Sequence, residues 1–118
     1  MPRTVLIVDD HPSFRATARA LLEAEGFQVV GEAATGVEAL SEAEALHPDI
    51  VLLDVQLPDL DGFEIASRLI GRNGREPDVV LVSSRDASDY GNLIAECGAR
   101  GFVAKGELSG AAVRRLLA

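Results

Sequence analysis

Five short apolar runs spaced along the chain constrain its fold more than any other feature: VLIV at 5–8, FQVV at 27–30, IVLL at 50–53, VVLV at 79–82 and GFVA at 101–104. Each has the length of a strand. The first, third and fourth are apolar without alternation, the pattern of parallel strands covered on both faces. Helical periodicity fills the intervals. In PSFRATARALLEAEG, Phe14, Ala18, Leu21 and Leu22 share one face, Arg15, Arg19 and Glu23 share another, and Gly26 is the stop signal. Val37, Leu40 and Leu46 mark a second helix that ends near Pro48, and a third runs from about Gly62 to Ile70 with Phe63, Ala66, Leu69 and Ile70 apolar. Tyr90, Leu93, Ile94 and Cys97 mark the fourth, and Val113, Leu116 and Leu117 the fifth.

Strands alternating with helices predict an α/β fold, a doubly wound five-stranded parallel sheet with right-handed crossovers and helices on both faces. The order 2-1-3-4-5 is the common solution for such βα units. A chain of 118 residues buries about two thirds of its unfolded surface as one domain, and no linker or low-complexity stretch divides 1–118. The chain stops at the end of a predicted helix, either as a stand-alone domain or ahead of one that follows.

Cys97 is the single cysteine; it excludes an internal disulfide, reads as a small core residue, and fits a reducing, cytoplasmic setting. The opening MPRTVLIVDD is too short in its apolar part for a signal peptide or membrane span, so neither targeting nor a membrane is expected. A net charge of −8 repels nucleic acid, so direct nucleic-acid binding by this domain is not expected, and proteins, cations or small molecules are left as partners.

In an open parallel sheet, chemistry collects in the crevice at the C-terminal strand ends where the order reverses. The first strand delivers Asp9 and Asp10 there, the third Asp54, the fourth Ser83 and Ser84, and the fifth Lys105. If strands one and three are neighbours the carboxylates crowd together, and a pair about 5 Å apart costs roughly 3 kcal/mol at an effective dielectric near 20. Lys105 supplies one counter-charge. It is the sole lysine beside ten arginines, which points to a position that wants a compact point charge and not a planar fork. A hard divalent cation with oxygen ligands supplies more, and Mg²⁺ fits because it takes a few carboxylates, keeps water and accepts phosphate oxygens. A carboxylate nucleophile beside Mg²⁺ is a known route to an aspartyl phosphate, and Lys105 and Ser83 are the right types to stabilise phosphoryl oxygens.

IVDDH at 7–11, the LLDVQLPDLDG stretch ending at Gly62, LVSS at 81–84 and GFVAK at 101–105 occur in order over essentially the whole chain. With these pieces the chain resembles the receiver domains of response regulators in bacterial two-component signalling, whose fold is flavodoxin-like. The resemblance implies Asp54 as phosphoacceptor, Asp9 and Asp10 as the acid pair holding Mg²⁺, and the backbone carbonyl of Gln56 as the third protein ligand beside Asp54. It implies Lys105 as partner of the phosphoryl oxygens, Ser83 as the hydroxyl that moves to them, and Phe102 as the aromatic that changes rotamer. Pro58 and Gly62 then shape the acceptor loop. It further implies a histidine kinase as phosphodonor, a face of helix 4, strand 5 and helix 5 that responds and serves a homodimer or another partner, and an output in transcription.

Receivers mostly carry Pro after the lysine, with a cis peptide bond, whereas Gly106 stands here. VDDHPSFR and the KG ending look most like receivers that precede a helix-turn-helix domain, and no such domain lies within these residues. A phosphohydrolase of the haloacid dehalogenase type needs Asp and Thr where this chain has Gln56 and Pro58. A pseudo-receiver serving only as an interaction module is the remaining alternative. His11 reads as a solvated or capping residue, and His47, at a helix end before Pro48, as a complement to the helix dipole.

Overall fold

The computed structural model describes residues 2–71 and 76–118. Its strands are β1 Thr4–Val8, β2 Gln28–Ala33, β3 Ile50–Asp54, β4 Asp78–Ser83 and β5 Gly101–Ala104. The helices are α1 Pro12–Ala24, α2 Gly36–Leu46, α3 Gly62–Ile70, α4 Leu93–Glu96 and α5 Gly110–Leu117. All strand pairs are parallel, in the order β2-β1-β3-β4-β5, as the alternation predicts. No helix among the described residues is long and apolar enough to cross a membrane.

Alternate side chains of each strand enter opposite layers, and both layers are apolar. Leu6, Val8, Val51, Leu53, Val79 and Leu81 pack with Ala39 and Ala43 of α2 and Phe63, Ile65, Ala66 and Leu69 of α3. Val5, Ile7, Ile50, Leu52, Val80 and Val82 pack on the other side with Ala18 and Leu22 of α1 and Val113 of α5. This is why the central runs show no period of two.

The helices start where their sequences allow. Pro12 opens α1, where its missing N–H costs nothing. Thr35, Asp61 and Ser109 cap α2, α3 and α5, accepting from the N–H of Glu38, Phe63 and Ala112. His47 ends α2 in a left-handed conformation at φ 46°, its N–H bonded to the Ala43 carbonyl, so its backbone serves the helix end directly.

The fourth helix departs from expectation. Tyr90 closes a separate 3-10 turn, Ala87–Tyr90, and only Leu93–Glu96 is α-helical. Gly91 at φ +58° and Gly98 at φ +87° take conformations a continuing helix excludes. Val37, expected on a packed face, is 63% exposed, and Leu21 and Leu46 are half-exposed. The strand expected from Phe27 begins at Gln28 and continues through Gly31 and Glu32 to Ala33.

The site depends on this topology. Val8 of β1 pairs with Leu53 of β3, so Asp9 and Asp54 emerge side by side. Ser83 pairs with Ala104 of β5, which sends Lys105 out beside it. All peptide bonds among the described residues are trans, including Lys105–Gly106, so the cis bond common in receivers is absent, and β5 runs directly into a 3-10 turn, Lys105–Glu107.

Gly62 lies where the acceptor loop returns to β3. A Cβ there would sit 2.6 Å from the Asp54 carbonyl oxygen and 2.6 Å from Val55 Cα, backbone atoms that cannot swing aside. Gly106 has open space around it. Gly62→Ala is therefore expected to lose about 1–3 kcal/mol of stability, and Gly106→Ala to stay within about 0.5 kcal/mol of wild type; urea unfolding of both variants checks the contrast.

Candidate functional site

Asp9 is fully buried and Asp54 almost so, at 2% exposure. Each uses one oxygen on its own loop. Asp9 Oδ1 accepts from the His11 backbone N–H at 2.8 Å, and Asp54 Oδ1 from the Gln56 N–H at 3.1 Å. The second oxygens face Lys105. Its Nζ lies 2.6 Å from Asp9 Oδ2 and 3.4 Å from Asp54 Oδ2, and 4.7 Å from the centroid of the Phe14 ring on α1. One ammonium thus serves two carboxylates and rests on an aromatic face.

Asp10 completes the acid group. Ligand atoms of Asp9, Asp10, His11 and Asp54 all lie within 4.8 Å of one another. Asp9 Oδ2 and Asp10 Oδ1 are buried without a hydrogen bond; the Lys105 contact with Asp9 Oδ2 is an ion pair not aligned as one. Buried oxygens left in this way, in a group dominated by carboxylates, fit a hard divalent cation.

The electrostatics follow from burial. Loss of solvent raises the Asp54 carboxyl to about 6; the Gln56 N–H opposes this, the Asp9 charge adds to it, and Lys105 opposes it again. For Lys105 burial acts downward, but its contact with Asp9 and the charges of Asp54 and Asp9 outweigh it and hold the ammonium above its ordinary value. Lys105 is the cation throughout the physiological range, while Asp54 is a carboxylate of raised basicity.

Ser83 is fully buried. Its Oγ accepts from the Arg85 N–H at 3.0 Å and lies 2.6 Å from the Tyr90 hydroxyl. Among the described residues these are its hydrogen-bond partners. The Tyr90 ring meets Phe63 edge-on at 5.4 Å and Phe102 at 6.0 Å. Phe102 is half-buried. Pro58 is exposed in the loop, and Asp59 beside it accepts from the N–H groups of Gly36 and Val37 at 2.7 and 3.0 Å.

The topology therefore brings Asp9, Asp10, Asp54 and Lys105 together, with Ser83 at the adjoining strand end, as the strand-end argument expects. Sequence reasoning missed the Tyr90 hydroxyl, because an aromatic at helical spacing reads as core. It also missed the place of the His11 ring, which occupies the N-cap position of α1 without a capping bond. Nδ1 of that ring sits 3.0 Å from Asp9 and 3.1 Å from Asp10. Arg15, which the spacing places on one face with Arg19 and Glu23, donates to the Asp9 carbonyl and pairs with Glu32 at 2.9 Å. Its spacing from Asp9, one helical turn past the loop, was the available signal.

The raised Asp54 carboxyl has a consequence for stability. Between the ordinary 3.8 and about 6, the folded chain holds a proton that the unfolded chain has lost, so stability falls as pH rises through that window and the penalty is complete above it. Its full size is of the order of 3 kcal/mol. Asp54→Asn is expected to raise the melting temperature at pH 7.5 and to lose that advantage by pH 4; thermal melts across this range in the presence of a chelator check it.

Comparison with known proteins gives the family. Residues 5–115 match the family described as response regulator receiver domain. The chain is 39% identical over 103 residues to the response regulator GacA of Pseudomonas syringae pv. syringae, covering 86% of this chain and 48% of GacA. It is 35% identical over 102 residues to the DNA-binding transcriptional activator EvgA of Escherichia coli, covering 86% of this chain and 50% of EvgA. The chain thus spans about half the length of the curated relatives it matches. A solved two-component response regulator of the LuxR family from Aurantimonas sp. superposes with a TM-score of 0.85 at 30% identity, covering 99% of this chain and 86% of that one. This chain belongs to the response regulator receiver domain family, a signalling domain of two-component systems related to transcription regulators.

Proposed function

We propose that the chain is a phosphorylation switch in which Asp54 takes a phosphoryl group in a Mg²⁺-dependent reaction. The observation that carries this reading is the pairing of a buried strand-end carboxylate of raised basicity with a lone lysine and two buried acid oxygens that have ion-pair contacts but no hydrogen bond. Near pH 7 a carboxyl of about 6 is roughly nine-tenths ionised, so the nucleophile is present and more basic than an ordinary aspartate. An Asp54 oxygen attacks phosphorus, the bond from phosphorus to the donor nitrogen or oxygen breaks, and the donor leaves with its electron pair. The donor is a histidine kinase or a small acyl phosphate. Asp9, Asp10, Asp54 and the Gln56 carbonyl would hold Mg²⁺, which when bound neutralises charge on the transferring oxygens.

Lys105 already sits between Asp9 and Asp54. It supplies fixed positive charge to the phosphoryl oxygens and costs no reorganisation at the moment of transfer. Ser83 provides the hydroxyl that turns to the product, and Phe102 follows it. Pro58 and Gly62 hold the acceptor loop against β3. The face of α4, β5 and α5 then carries the change to a second protomer or another partner, and the output is transcription through a DNA-binding domain beyond residues 1–118, in the cytoplasm. The domain catalyses only its own phosphorylation and dephosphorylation.

Intact mass after incubation with Mg²⁺ and acetyl phosphate tests the reading. One added phosphoryl group is expected, absent from Asp54→Ala; no addition, with beryllofluoride also failing to bind, identifies a phosphorylation-independent interaction module. The metal claim has its own check. Mg²⁺ should raise the melting temperature, and Asp10→Asn should raise it without Mg²⁺ while abolishing the response, because the substitution removes the same repulsion the cation would relieve.

A further inference from the structure

We propose that Tyr90 is a latch on the switch: its phenol holds the Ser83 hydroxyl, in competition with a phosphoryl group on Asp54. The inference rests on the phosphoacceptor reading above. The Ser83 and Tyr90 oxygens are 2.6 Å apart, and Ser83 is fully buried, so water cannot stand in for the phenol.

The bond between Ser83 and Tyr90 can run in either direction, and the latch takes Ser83 as its donor. Ser83 Oγ has one proton, and one of its lone pairs already accepts from the Arg85 N–H. A phosphoryl oxygen only accepts, so it claims that single proton. With that proton on a phosphoryl oxygen, Ser83 no longer donates to Tyr90, and the two bonds exchange.

Tyr90 is also placed to report the exchange. Its ring is held between Phe63 and Phe102 at 5.4 and 6.0 Å. Phe102 has no hydroxyl, so the polar half of an aromatic switch falls to Tyr90. Gly91 follows at φ +58°, a conformation that breaks the 3-10 turn from α4. Tyr90 lines a 380 Å³ cleft with Gln56, Pro58 and Leu93. Release of the phenol therefore alters a wall shared by the acceptor loop and α4.

The chain contains one tyrosine and no tryptophan, so its intrinsic emission reads Tyr90 alone. The experiment follows that emission in the full chain while beryllofluoride is titrated in Mg²⁺, beside Ser83→Ala and Asp54→Ala, with acetyl phosphate uptake read by intact mass. Emission should change on binding in wild type. Ser83→Ala should start from an altered emission and change little further, and Asp54→Ala should not respond. Tyr90→Phe, which keeps the ring contacts, should bind beryllofluoride about fivefold more tightly by calorimetry, since one hydrogen bond of ordinary net strength no longer opposes the active arrangement. A residue that only supports the fold would weaken binding when altered. Phosphorylated wild type with unchanged emission, or Tyr90→Phe binding no more tightly than wild type, overturns the latch and leaves the phosphoacceptor reading standing. Failure to take up either phosphoryl or beryllofluoride removes both.

Discussion

Two buried carboxylates meet at the end of the sheet, and the Lys105 ammonium keeps them there. Asp9 and Asp54 come from neighbouring strands whose register places them side by side, and neither has solvent to screen it. Lys105 opens the 3-10 turn after β5, at the sheet edge, and its long flexible stem reaches across β4 to bridge both, 2.6 and 3.4 Å away. The ammonium is a compact point charge with three donors on a flexible stem, which suits a position between two carboxylates. The Phe14 ring under Nζ enlists α1 in the same arrangement. The contact with Asp9 is the shorter, so the lysine is anchored on Asp9 and leans toward Asp54.

The loop after β3 carries two acids committed to helix starts, close in sequence to Asp54, which is not. Asp59 is committed to the start of α2 through Gly36 and Val37, and those bonds, chiefly the one from Gly36, hold its carboxyl below the usual range. Asp61 is committed to the start of α3 through Phe63. Asp54 is driven upward, because burial outweighs its single loop N–H. Three carboxylates close in sequence therefore differ in character through their surroundings and not their chemistry.

Most of this was legible in the chain. Apolar runs without alternation identify central parallel strands because both faces are covered, and the strand-end position of Asp9, Asp10, Asp54, Ser83 and Lys105 follows from topology alone. What escaped depended on backbone conformation. Nothing in the spacing of Tyr90, Leu93, Ile94 and Cys97 announces that Gly91 takes a positive φ, yet that angle divides the segment and leaves Tyr90 in a turn where its hydroxyl meets Ser83. The His11 ring escaped for a related reason: its position before Pro12 marks a helix start, but only the folded turn shows it beside Asp9 and Asp10. Val37 shows the opposite error, an apolar residue at helical spacing that the fold leaves outside.

The sheet divides the apolar interior into two compartments whose side chains do not mix. One joins α1 and α5, and the other joins α2 and α3. Repacking on one side reaches the other only through strand backbones that are already fixed by their neighbours, so substitutions in separate compartments should combine nearly additively. The two surfaces are then free to diverge at different rates. A lineage can remodel the exterior around α1 while the opposite exterior keeps its shape, and such insulation gives this architecture a route to new recognition partners without rebuilding the acid cluster at its strand ends.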